Sequence, residues 1–180
     1  MPLGDLGAAA YQLHLLSTMN PLPHLLERSL NAVGVSRPEM ARQADRVGEA
    51  TLILTADLVS NTREILSDAL CGESVELGQT STDRYRFPLW PEFEFEIEFQ
   101  IVNGYHFTHG EFVRTLGTGP SDREPVPWGW LKGETLRRYE DVREIDLWSP
   151  YETYDALNPQ DGKRCFLRFG WGVLQEIEPL

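Results

Sequence analysis

Aromatic residues are missing from almost the whole first half of the chain. Before Tyr85 only Tyr11 is present, and all five Trp and all eight Phe fall at or after Phe87. Cysteine is scarce: Cys71 and Cys165 stand far apart with no Cys-x-x-Cys spacing, so neither a zinc site nor a disulfide framework is indicated. Basic residues are outnumbered, 16 Lys and Arg against 28 Asp and Glu, for a formal charge of −12. That balance argues against a sequence-independent grip on DNA, RNA or anionic membrane, which needs clustered cations. No run approaches the roughly 18 apolar residues of a membrane-spanning helix. The stretch Met1 to Thr18 lacks the basic start of a signal peptide. A serine nucleophile elbow, a Walker loop and a dinucleotide fingerprint are absent too. Gly117-Thr118-Gly119-Pro120 is followed by no lysine and by no helix start.

What is present is a chain of 180 residues, 41% hydrophobic and 24% charged, enough for a sizeable core without staples. The uneven aromatics divide it. An aromatic-poor stretch rich in Ala, Leu, Arg and Glu reads as helical, and an aromatic-rich one with Gly and Pro turns reads as β. The expected class is α+β: an N-terminal helical hairpin followed by an antiparallel, barrel-like β-sheet. Residues 1–19 read as a flexible extension, 20–71 as the hairpin, and 84–180 as the β domain with one short helix near 150–157. The cytoplasm is the expected setting.

In the helical half, Asn20 and Pro21 can open a first helix whose Leu22, Leu25, Leu26, Leu30 and Val33 keep helical spacing up to Gly34. Ser36-Arg37-Pro38-Glu39 is a capping box. Met40, Ala44, Val47, Thr51, Leu54 and Leu58 then form one narrow seam on a helix that runs toward Leu70 or restarts at Asn61, where Glu64 completes a second box. The β half, or a second copy docked on the 36–71 helix, is needed to cover those stripes.

The clearest signal is Pro91 to Phe112. Glu92, Glu94, Glu96 and Glu98 alternate with Phe93, Phe95, Ile97 and Phe99, one acidic and one apolar face of a strand. Asn103-Gly104 is the dipeptide best suited to a two-residue turn. A turn there fixes the register, so that facing positions sum to 207. Phe95 then meets Phe112, Phe99 meets Thr108, Glu98 meets His109, Glu96 meets Glu111 and Glu94 meets Val113. Later, Trp128 to Leu131 reads as a short strand, Val142 to Trp148 as a strand, and Ser149-Pro150-Tyr151-Glu152 as a helix start. Lys163 to Ile177 reads as one long strand, with Gly170 and Gly172 allowing a bend.

Three constellations could carry function. Glu96, Glu98, His109 and Glu111 form a mixed carboxylate and imidazole set that suits a divalent metal or acid–base work. The plain alternative is a solvated acidic face with a cross-strand ion pair. Residues 25–44 have the outline of a DNA-binding helix-turn-helix, with Arg37, Glu39, Arg42 and Gln43 on the second helix. Leu30 stands where a small residue usually sits, and the charge is of the wrong sign, so a plain helical hairpin is favoured. Trp90, Trp128, Trp130, Trp148 and Trp171 can line a groove or simply pack. The preferred reading is a non-enzymatic protein-binding protein: an adaptor, assembly component or toxin-neutralising protein. Its partner face would be Glu92, Glu94, Glu96, Glu98, Trp128 and Trp130, and its partner a protein, a basic one suiting the acidic face. No cofactor is required. The alternatives are an enzyme at the Glu96/Glu98/His109/Glu111 cluster and a helix-turn-helix regulator.

Overall fold

The computed structural model describes residues 6–51, 57–72, 74–103, 105–120 and 124–180. Its first helix, α1 (Ala8–Thr18), is the helix around which the first half packs. Ala8, Ala10, Tyr11, Gln12, Leu13, Leu15 and Leu16 are all buried, which covers nearly the whole circumference of α1. A helix apolar on every side belongs inside a protein. The expectation of a flexible extension over 1–19 is therefore corrected for its described part. Tyr11 stacks on Phe87 with ring centroids 6.3 Å apart and planes 5° from parallel. The Leu89 N–H donates to Gln12 Oε1 at 3.0 Å, and Trp171 Nε1 donates to Thr18 Oγ1 at 2.9 Å.

Helix α2 (Pro23–Val33) begins two residues after the expected Pro21, with Pro23 in its first turn. It ends as the spacing predicts, at Gly34 in the left-handed region with φ 68°. Ser36 caps α3 (Arg37–Ala50), its Oγ accepting from the Glu39 N–H. Ala44 and Val47 of the seam are buried, against α1 of the same chain; His14 Nδ1 lies 3.2 Å from the Ala44 carbonyl. So the stripe that a second copy was one way to cover is occupied by α1. Leu54 lies outside the described residues. Helix α4 (Leu58–Ile65) is separate, and Asn61 does not cap it: its amide donates to the Ala50 carbonyl at 2.8 Å.

The β half is two four-stranded antiparallel sheets, each a simple meander, and neither closes into a barrel. The first is ordered β1 (Val75–Leu77), β2 (Thr80–Arg86), β3 (Phe93–Val102), β4 (Tyr105–Arg114). It starts within residues 72–83, between the expected hairpin (20–71) and the expected β domain (84–180). The second is ordered β5 (Glu140–Trp148), β6 (Tyr151–Leu157), β7 (Arg164–Gly170), β8 (Val173–Pro179). A short helix, α5 (Lys132–Leu136), precedes it.

The β3–β4 register is the one that Asn103-Gly104 dictates. Phe95 faces Phe112, Glu96 faces Glu111, Glu98 faces His109, and Val102 faces Tyr105. Phe93, Phe95, Ile97 and Phe99 are buried and Phe112 joins them. Each such side chain contributes about 1.5–3 kcal/mol of burial.

Two expectations in the last third are corrected. Residues 151–157 form β6, not a helix. A seven-residue helix is marginal on its own, whereas pairing with β5 and β7 gives the backbone of this segment partners on both sides. The long final strand is two, β7 and β8, folded at Trp171-Gly172, where φ is 53° and 78°. Trp128–Leu131 is a turn rather than a regular strand, although it docks on β8 through Trp128 N–H to the Leu174 carbonyl and Leu174 N–H to the Trp130 carbonyl.

The core has two parts. The larger joins α1, α2, α3, α4 and the inner face of the first sheet; the smaller joins Trp130, Tyr154, Ala156, Cys165, Leu167, Phe169 and Leu174. The β7–β8 turn links them: the Phe112 N–H donates to the Trp171 carbonyl at 2.9 Å.

Candidate functional site

The outer face of the first sheet carries the acidic residues in three cross-strand rows. These are Arg86–Glu94–Val113, Arg84–Glu96–Glu111 and Thr82–Glu98–His109, reading β2 to β4. The opposed carboxylates Glu96 and Glu111 repel. Strand β2 relieves that repulsion, because Arg84 Nη2 lies 2.8 Å from Glu96 Oε2. Arg86 pairs with Glu94 in the same way at 2.5 Å. Glu98 takes the Gln100 side chain as its partner. His109 is exposed opposite Glu98. Among the described residues, no group of three or more His, Cys, Asp and Glu is placed to hold a metal ion.

The partner face expected from the sequence is therefore brought together only in part. Glu92 is exposed, 3.5 Å from Arg114, and Glu98 is half-buried. Glu94 is buried and Glu96 is tied to its arginine. Trp128 turns inward; its Nε1 donates to Gln175 Oε1 at 2.8 Å and its ring lies 5.7 Å from Trp90. Trp130 is 2% exposed, in the smaller core, with the Arg138 guanidinium over its ring. Neither tryptophan offers a surface patch.

Two charged networks lie under the surface. Asp83, 1% exposed on the inner face of β2, accepts from Arg63 Nε at 2.8 Å and from the Tyr85 hydroxyl at 2.9 Å. Arg63 also lies over the Phe99 ring. Burial pushes the Asp83 carboxyl up, but hydrogen bonds from Arg63, Ser74 and Tyr85 and the Arg63 charge outweigh it, so it ends below the usual carboxylate range. Glu134 of α5 behaves alike: burial raises it, and Arg114 with the Leu131 N–H lowers it further. These networks bind elements to one another: Arg63–Asp83 ties α4 to the first sheet, and Arg114–Glu134 ties β4 to α5.

The second sheet exposes what the first hides. Every residue of β5 is exposed, including Ile145 at 57%, Leu147 at 53% and Trp148 at 75%. Beside it lies a cleft of about 440 Å³, lined in part by Met19, Leu22, Ile145, Asp146, Phe166 and Glu176. The sequence places this strand and sets Trp148 among the tryptophans that can line a groove, but assigns the rest of the strand no role. Its four apolar side chains, Val142 among them, resemble core residues, and only the strand order makes it an edge.

Comparison with family models, with curated proteins and with solved structures finds no match to this chain. No helix among the described residues is long and apolar enough to cross a membrane.

Proposed function

We propose that this chain is a non-enzymatic protein-binding protein, of the adaptor, assembly-component or toxin-neutralising kind, working in the cytoplasm. The observation that carries this reading is Trp148, 75% exposed beside exposed Leu147 and Ile145 on one strand edge. Clustered apolar side chains in water mark contact surfaces more often than they serve the fold. Tryptophan in particular supplies binding energy at protein interfaces. Glu92, exposed at 3.5 Å from Arg114, and half-buried Glu98, bound to the Gln100 side chain, add acidic character at the first sheet that suits a basic partner.

Capture from native lysate on immobilised chain tests the reading. Three baits are compared: the wild type, Leu147→Ser/Trp148→Ser, and Glu92→Gln/Glu98→Gln. A protein retained by the wild type and lost from either variant supports partner binding. A bait that retains nothing above background in any buffer removes it.

A further inference from the structure

Resting on the protein-binding reading, we propose that β5 receives an extended, lysine- or arginine-bearing segment of the partner by strand addition.

The two sheets have four edges, and three are unsuited to a guest. β1 is three residues long. β8 is covered at its start, where Trp128, Trp130 and Lys132 bond to Leu174 and Gly172, and α5 packs against it. β4 spends its Phe112 N–H on the Trp171 carbonyl, and the β7–β8 turn sits against it. Among the described residues that leaves β5, nine residues long and outermost in its sheet, with register shifts before Arg143 and before Asp146 that leave Asp146–Trp148 as its regular stretch. An edge strand presents a row of unpaired N–H and C=O groups, a template for another chain. Extended peptides that use such edges draw affinity from the main chain and specificity from pockets for alternate side chains.

Charge selects the guest. β5 carries Glu140, Asp141, Glu144 and Asp146 against one cation, Arg143. Asp141 is taken by Arg143 and Arg164. Glu144 and Asp146 have no ion-pair partner among the described residues. Asp146 lines the 440 Å³ cleft, with Met19, Leu22 and Phe166 as its apolar walls. The cleft also holds Arg168, but that guanidinium is already bound to Glu176 and Glu178. A lysine or arginine stem can lie along the apolar walls while its head reaches Asp146. A second copy fits poorly. Antiparallel pairing of β5 with itself would set its carboxylates against one another, and like charges directly opposite destabilise a sheet.

The test pans a displayed library of short random peptides on the full chain. Enriched peptides are expected to alternate Lys or Arg with apolar residues. Asp146→Lys should weaken the best of them by about tenfold or more, at unchanged melting temperature, as should Trp148→Ser. Methylating the peptide backbone nitrogens one at a time should abolish binding at one parity and spare the other. Equal tolerance at both parities overturns strand addition. So does amide protection of 140–148 that rises with chain concentration alone, which would make a second copy the occupant. Binders insensitive to both β5 variants but lost in Glu92→Gln/Glu98→Gln end this proposal and leave the protein-binding reading standing. A library and a lysate that both yield nothing end the two together.

Discussion

Arg114 and Glu134 meet in a two-pronged ion pair, with N···O distances of 2.6 Å from both Nε and Nη2, at side-chain exposures of 9% and 10%. The pair joins the last residue of β4 to the helix that leads into the second sheet. Glu134 also accepts from the Leu131 N–H at 3.0 Å, and Arg114 donates to the Gly129 carbonyl at 3.0 Å. The pair thus ties the end of β4 to the turn and the helix that lead into the second sheet.

Removing one partner leaves the other charged and buried. Glu134→Gln should destabilise the protein by about 3 kcal/mol, the range for breaking a buried pair. Arg114→Met with Glu134→Leu should cost less than either single change, because no unpaired charge remains. Urea melts of the three variants measure this; a double variant weaker than both singles would refute it.

Acid should unfold the protein in two stages. Burial lowers the pKa of His14, although its contact with the Ala44 carbonyl opposes the shift. The folded state then resists a proton that the unfolded state takes up below about pH 6.5. Stability is therefore full above that pH and falls as pH drops through the lower folded value. Asp83 and Glu134 are also depressed in the fold, so their contribution is present above about pH 4 and is lost below it. Melting temperature against pH should show both declines, and His14→Gln should erase the upper one alone. An upper decline that persists in His14→Gln assigns it elsewhere.

Helix α1 should be indispensable. Leu15 and Leu16 are 0% exposed and Tyr11 lies between Phe87 and Phe95. A chain starting at Asn20 should lose cooperative thermal unfolding and bind hydrophobic dye. The milder Leu16→Ala should fold and lose about 2–5 kcal/mol. A truncated chain that melts like the full one would show that α1 is dispensable.

The same helix shows where reading the sequence stops. Period analysis looks for one apolar face, and Ala8 to Thr18 has apolar residues on all sides, so no stripe stood out. The β3–β4 hairpin was legible to the residue because a two-residue turn leaves one register, and strict alternation leaves one inward face. The α+β class followed from the aromatic divide. The Ser149 to Glu152 pattern misled because a Ser-Pro start serves a turn as well as a helix, and pairing with β5 and β7 decided in favour of strand. Acidity on Glu94 and Glu96 was legible, but its neutralisation was not. The β2 pairing that brings Arg84 and Arg86 alongside lies across a separate loop whose register no local signal sets. The exposed edge at β5 was hidden for a related reason, since strand order is a property of the whole sheet.

Among the described glycines, the one with least room for a side chain is Gly110, inside the legible hairpin. A Cβ there would sit 2.6 Å from Phe95 Cζ, 3.1 Å from Cε1 and 3.4 Å from Trp171 Cζ3. Phe95 is 0% exposed and packed edge-on against Trp171 at 5.5 Å, so the ring has nowhere to retreat. Gly110→Ala should therefore destabilise by about 1–3 kcal/mol, the usual cost of overpacking. Gly133→Ala supplies a control of opposite sign. It sits within α5, nothing lies within 4 Å of its added methyl, and alanine is favoured over glycine in a helix by up to about 1 kcal/mol. Phe95→Leu should partly rescue Gly110→Ala, because the shorter side chain vacates the contested space, and a double-mutant cycle by chemical denaturation reads that coupling. Strict additivity of the two changes would mean that the methyl and the ring never compete, and that the sheet adjusts elsewhere.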